Sequence, residues 1–181
     1  MSLQVLLHEK KAAVVARWLD LVLEDYPPET VRFLKGQRDR FANPVGNVFQ
    51  EAIAGVYEEL IGEGDPARSA TLLDRIVRIR AVQDLPPSRA LAFVPGLKRV
   101  VREVLEPREA RTPGSASGAA APEEWRELDD RIDRLALLAF DVYLGCREKI
   151  HEISFTQLRN RTHLLLERAG LTWRQAGEGE G

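Results

Sequence analysis

The chain contains very little of the chemistry that builds catalytic, metal or disulfide sites. Its 181 residues include one cysteine, one methionine and three histidines, and no glycine-rich loop of the phosphate-binding type occurs. The single cysteine, Cys146, excludes an internal disulfide and fits a reducing compartment. No two of His8, His151 and His163 are three or four positions apart, so no histidine pair shares a helix face. We therefore predict no catalytic residues, no metal and no cofactor.

The sequence also lacks a long apolar run and a strong excess of either charge. Its most apolar run, Leu135–Leu144, is far shorter than the roughly 20 residues of a membrane span, and the N-terminus has no signal-peptide pattern. The net charge is −2, from 26 basic and 28 acidic residues, which argues against a nucleic-acid partner. We expect a cytoplasmic domain with neither nucleic-acid nor membrane partners.

Helical periodicity is the main pattern, and no stretch alternates in the manner of a strand. It predicts an all-α fold, a single helical-bundle domain over residues 1–170 with five helices and a long sixth. Asn43-Pro44 and Asp65-Pro66 are typical helix starts, with a capping side chain followed by proline at the first position. The predicted helices cover residues 3–25, 28–36, 44–61, 66–83, 88–105 with a kink or break at Pro95-Gly96, and 122–169.

Two segments have a composition that does not favour helix. PREARTPGSASGAAAP, from 107 to 122, is rich in small residues, glycine and proline, and predicts a flexible loop. The polar, glycine-rich tail from 171 to 181 predicts a disordered terminus.

The run LALLAFDVYL, Leu135–Leu144, contains nine apolar or aromatic residues and one acid, Asp141. An apolar surface on all sides predicts a buried helix. A buried carboxylate is costly unless it has an ionic or hydrogen-bonding partner, so Asp141 has either such a partner or a functional role. Asp141 is therefore either satisfied by an arginine or helix-end donors, or it anchors a ligand or a dimer seam. Arg78 and Arg80 are candidate partners, although one of them is also expected near Asp84.

The last helix also shows a packing seam. Its apolar positions step alternately by four and three residues, the spacing of a face that packs on a neighbour. These positions are Leu128, Ile132, Leu135, Ala139, Val142, Cys146, Ile150 and Ile153.

Other constellations leave alternatives open. Asp141 with the aromatics Phe93, Phe140 and Tyr143 would suit a sensor for a small apolar molecule or a haem-like cofactor, although no histidine lies on a mid-chain helix as a haem ligand would. An enzyme would need a cleft in which His151, Cys146 or paired carboxylates converge, and their spacing does not favour one.

A basic cluster beside a turn is formed by Arg38, Arg40 and Phe41. It predicts either a site for an anion or a partner, or a structural role in fixing the next helix.

The order of these phrases resembles one family. EKKAAVVARWLDLVLEDYPPET is followed by RDRFANPVGNVFQEAIAGVYEEL, by LLDRIVRIRAVQDLPPSRALAFVPGLKRVVREVL and by RIDRLALLAFDVYLGCREKIHEI. This series, over residues 5–168, is similar to the N-terminal sensory domain family of the RsbT co-antagonist protein RsbRD. QDLPPSRALAFV is the most recognisable phrase.

The resemblance implies a bacterial, cytoplasmic, non-enzymatic module for signal transduction in stress-response regulation. It implies a globin-like arrangement without haem, a homodimer, and a last helix through which a signal reaches an output domain. No output domain follows Gly181 in this sequence, so we do not extend the expectation to stressosome assembly or to antagonism of a kinase. The resemblance adds no catalytic residues.

Overall fold

A computed structural model describes residues 2–37, 39–83, 85–106 and 121–168. Over these residues the fold is all-α, with eight helices and no strand, as predicted. The helices are α1 (Leu3–Glu9), α2 (Lys11–Leu23), α3 (Pro28–Gly36), α4 (Pro44–Ile61), α5 (Pro66–Ala81), α6 (Pro87–Leu91), α7 (Phe93–Leu105) and α8 (Pro122–Arg168). None of the described helices combines the length and apolarity that crossing a membrane requires.

The chain divides into two units, Met1–Leu144 and Gly145–Gly181. The first unit contains α1 to α7 and the first part of α8, and residues 145–168 of the second unit continue α8. Arg38, Asp84, residues 107–120 of the predicted loop 107–122 and the predicted tail from 171 to 181 lie outside the described residues. The globin-like arrangement stays a prediction.

The capping signals at the starts of α4 and α5 are confirmed. The side chain of Asn43 accepts a hydrogen bond from the Gly46 backbone N–H, and that of Asp65 accepts one from Ala67. Both helices then begin with proline, whose missing N–H costs nothing at that position. Local chemistry therefore places two helix starts correctly.

The predicted first helix is divided at Lys10, which separates α1 from α2. Near this break the Tyr57 hydroxyl donates a hydrogen bond to the Leu7 carbonyl at 3.1 Å. Leu7 on α1 and Trp18 on α2, on either side of the break, are both buried. A tertiary contact from α4 thus accompanies a break for which the sequence contains no glycine or proline.

The predicted kink at Pro95-Gly96 is a break at Ala92, which ends α6 and precedes α7. Pro95 has no N–H to donate to the carbonyl four residues earlier, that of Leu91, and its ring crowds that carbonyl. The helix therefore restarts at Phe93, so that the proline falls in the first turn of α7, where a missing N–H is tolerated.

The core of the first unit is formed by apolar faces of α1 to α5, of α7 and of the first part of α8. Trp18 is fully buried, and its indole N–H donates to the Phe93 carbonyl at 2.7 Å. Among the described residues, no buried side-chain nitrogen or oxygen lacks a hydrogen-bond partner. The largest wholly buried side chains are Trp18, Arg80, Tyr57, Phe49 and Phe93.

The seam predicted on α8 is confirmed over most of its length. Leu128, Ile132, Leu135, Ala139 and Cys146 are buried. Val142 and Ile150 are partly exposed, and Ile153 is exposed.

The prediction that the run Leu135–Leu144 is buried on all sides is wrong. Leu137, Phe140 and Leu144 are 69%, 48% and 48% exposed, and Asp141 is exposed as well. The first unit covers only one face of this helix, the face that carries Leu135 and Ala139. The second apolar face is left uncovered by the described residues.

Candidate functional site

Arg80, one of the predicted anchor residues, is 1% exposed and lies at the centre of a buried cluster. Its Nε donates to the Ala90 carbonyl at 2.7 Å and its Nη1 to the Val22 carbonyl at 2.6 Å. Its Nη2 donates to Asp25 Oδ2 at 2.6 Å and to the Arg89 carbonyl at 3.1 Å. A single guanidinium on α5 thus joins the end of α2 to α6.

Asp25 is the counter-charge of this cluster. Its second carboxylate oxygen, Oδ1, pairs with Arg89 at 2.7 Å. Burial raises the pKa of the Asp25 carboxyl, but hydrogen bonds from Arg80 and Arg89 outweigh burial and hold the pKa below its ordinary value. We call Arg80, Asp25 and Arg89 the Arg80 cluster.

The lowered pKa of Asp25 predicts that the cluster loses stability in acid. A carboxyl whose folded pKa lies below its unfolded value stabilises the fold above the unfolded pKa, near 4, and this contribution disappears as pH falls through the folded pKa. Urea unfolding followed by circular dichroism should therefore show Asp25→Asn destabilised at pH 7, with the gap to wild type closing below about pH 4.

Asp20→Asn is the matched control, because Asp20 pairs with Lys35 on the surface. Its effect should be small at every pH. A constant gap between Asp25→Asn and wild type from pH 7 to pH 3 would contradict the prediction.

The prediction that Arg78 or Arg80 meets Asp141 is wrong. Arg78 is exposed and pairs with Asp74, on the same helix, at 2.7 Å. Arg80 pairs with Asp25 at 2.6 Å. The two arginines point to different faces of α5, as their spacing indicated. Asp141 forms no side-chain hydrogen bond or ion pair with any described residue.

The three aromatics grouped with Asp141 in the sequence lie in different environments. Phe93 is buried, with its ring centroid 6.2 Å from that of Trp18. Tyr143 is buried and its hydroxyl donates to the Leu85 carbonyl at 3.2 Å, while Phe140 is half exposed. None of the three lines the cavity that Asp141 lines. A ligand at Asp141 would contact other residues.

A groove of about 580 Å³ lies between the start of α5, the end of α4 and the first part of α8, and Asp141 lines it. We call it the α4–α8 groove. Leu60, Leu135, Leu137 and Leu138 are among its apolar residues, and Glu63 and Arg134 are among its charged residues. The sequence indicated Asp141 but missed the others, because the groove joins three segments that are distant along the chain.

Arg131 fixes the wall of this groove. Its guanidinium donates to the Leu60 carbonyl at 3.1 Å and to the Gly62 carbonyl at 3.0 Å, at the C-terminal end of α4. It also pairs with Glu127 at 3.0 Å. A cation at a helix C-terminus satisfies carbonyls that have no partner within the helix.

The uncovered apolar positions of α8 form a second candidate surface. In the first unit they are Leu137, Phe140 and Leu144, which we call the outer face of α8. In the second unit the exposed large apolar side chains are Ile153, Phe155, Leu158, Leu164 and Leu165. Exposed apolar patches of this kind mark contact sites.

In the basic cluster beside the turn, the contacts of Arg40 support a structural role. Arg40 and Arg75 both pair with Glu51 on α4, and their hydrogen bonds lower the pKa of Glu51. Arg40 thus ties the turn to the next helix, whereas Phe41 is 98% exposed. No group of three or more potential metal ligands occurs within the ranges that the structure covers.

These features define an all-α domain with an ionic cluster around the buried Arg80, a mixed polar groove and a helix face that the described residues leave uncovered. The chain belongs to the family described as "RsbT co-antagonist protein rsbRD N-terminal domain", which it matches over residues 12–157. This is a family of regulatory domains. Comparison with curated proteins returns no match, and comparison with solved structures returns none.

Proposed function

We propose that this chain is a non-enzymatic sensory domain of a bacterial, cytoplasmic regulator, which homodimerises along α8 and passes its signal to a protein partner. Family membership supports the regulatory role. The observation that supports a dimer is that every residue from 151 to 165, in the second unit, is exposed.

Most helices in proteins owe their stability to the packing of an apolar face on a neighbouring element. Phe155, Leu158 and Leu165 recur at spacings of three and seven, with Thr162 at the intermediate position. This is the spacing of a helix-pairing seam. The second unit therefore carries a seam for which the described residues supply no cover.

The first unit repeats the pattern, because Leu137, Phe140 and Leu144 recur at spacings of three and four. A second copy of the chain supplies the same positions, and parallel pairing about a two-fold axis brings each residue opposite its own counterpart. A shift of one α8 against the other would then be the change that a protein partner detects.

The test is the effect of a charge placed in the seam. We expect wild type to be a dimer at micromolar concentration by light scattering. Leu158→Lys should raise the dissociation constant about tenfold or more, because it places two like charges opposite each other in an apolar contact.

Ile153→Lys is the matched control. Ile153 is 58% exposed and Leu158 is 63% exposed, but Ile153 lies on a different face of the helix. It should leave the dimer intact. A monomeric wild type, or equal effects of the two substitutions, would refute pairing through this seam.

A further inference from the structure

We propose that the α4–α8 groove binds short peptides that have apolar side chains and free termini. This goes beyond the proposed function, since it assigns a ligand class to a cavity that α4, α5 and the first part of α8 form within one chain. The size of the groove, its apolar residues and three charged side chains without a partner among the described residues support this ligand class.

The size and floor of the groove suit a ligand larger than a single amino acid. Its volume of about 580 Å³ lies within the usual range of small-molecule sites, roughly 300–1,000 Å³. Leu60 and Leu135 are each 7% exposed, and Leu138 is partly buried. Leu137 also lines the groove and is 69% exposed, so it and Leu138 offer an apolar surface on which a ligand can be desolvated.

Two carboxylates of the groove are neutralised within the fold. Glu59 pairs with Arg68 at 3.1 Å, and Glu127 pairs with Arg131 at 3.0 Å. They are therefore poor binding groups for a ligand cation.

Three other charged side chains of the groove have no such neighbour. Glu63, Arg134 and Asp141 form no side-chain hydrogen bond or ion pair with the described residues. The groove thus offers one guanidinium and two carboxylates to a ligand. A simple anion would use only Arg134, and a diamine would face Arg134 with like charge, whereas a zwitterion satisfies both signs.

The spacing of Arg134 and Asp141 sets the length of that zwitterion. Seven residues of helix are two turns, which separate their Cα atoms by about 10 Å. An extended peptide of three residues spans about the same distance. Its carboxylate would accept a forked pair of hydrogen bonds from Arg134 and its ammonium would pair with Asp141, while its side chains cover the leucines.

The test is isothermal titration of the full chain with trileucine, free leucine, N-acetyl-trileucine and trileucine amide. Trileucine should bind saturably, and each blocked peptide should bind about tenfold more weakly, which is the loss of about 1.4 kcal/mol expected for one charge-assisted contact. Free leucine should also be weaker, because it cannot reach both charges. No saturable binding of trileucine, or equal binding of the blocked peptides, would overturn the proposal.

Variants assign the two ends of the peptide. In Asp141→Asn, N-acetyl-trileucine should bind as tightly as trileucine, because the partner of the ammonium is gone. In Arg134→Gln, trileucine amide should bind as tightly as trileucine for the corresponding reason, as in a double-mutant cycle. Asp130→Asn and Arg126→Gln change exposed charges of α8 outside the groove and should bind as wild type does. If acetylation still costs tenfold in Asp141→Asn, the assigned geometry is wrong. Repeating the titrations with Leu158→Lys tests the peptide site separately from the dimer.

Discussion

Replacing Arg80 with methionine is expected to lower the free energy of unfolding by about 4 kcal/mol, the range found when one member of a buried ion pair is removed. Methionine keeps much of the volume but donates no hydrogen bond. The carbonyls of Val22, Arg89 and Ala90 would each lose a donor in a place where water cannot easily replace it. Urea unfolding at pH 7 measures this loss.

The control for this experiment is Arg78→Met on the same helix. Arg78 is exposed, and its pairing with Asp74 four residues earlier is a surface contact of a few tenths of a kcal/mol. The two substitutions are chemically identical and two residues apart, so helix propensity does not distinguish them. If they cost the same within about 1 kcal/mol, the Arg80 cluster does not stabilise the fold as described.

Substituting Gly46 with alanine is expected to cost about 3 kcal/mol, a large overpacking effect. A Cβ atom at Gly46 would overlap the Leu34 carbonyl oxygen and the Asn43 side-chain amide. Asn43 is 1% exposed, and its Nδ2 donates to the carbonyls of Leu34 and Gln37, both at 2.9 Å. The added methyl group would therefore separate α3 from the start of α4. Thermal and urea unfolding both report this cost.

Gly36→Ala is the matched control for Gly46→Ala, because a Cβ atom at Gly36 would have no neighbouring atom within 4 Å. Gly36 is the last residue of α3, so alanine should be neutral or slightly stabilising. A Gly46→Ala protein as stable as Gly36→Ala would mean that α3 and α4 are not held together through this contact.

The features predicted correctly from the sequence are those decided by neighbours along the chain. Asn43-Pro44 and Asp65-Pro66 cap helices through bonds to residues two or three positions away, so their role is visible locally. The α8 seam follows in the same way from a periodic pattern.

The features that the sequence could not show depend on distant segments. Arg78 and Arg80 look equivalent in RIVRIRAVQD, and only the positions of Val22 and Asp25, more than 50 residues away, make one of them buried. The α4–α8 groove likewise joins three separate segments. The composition of LALLAFDVYL shows that the run is apolar. It does not show which face of the helix is buried by the same chain and which face stays exposed.

The contacts of Arg131 and Tyr143 also restrict how the first part of α8 can move. Arg131 bonds to the end of α4, and Tyr143, twelve residues later, bonds to the Leu85 carbonyl before α6. These attachment points are about 18 Å apart along the helix axis. Sliding the helix along its axis, or turning it about that axis, would break both sets of hydrogen bonds. These contacts therefore oppose both movements. A stimulus that loosens one attachment would therefore free that end of the segment while the other end stays fixed.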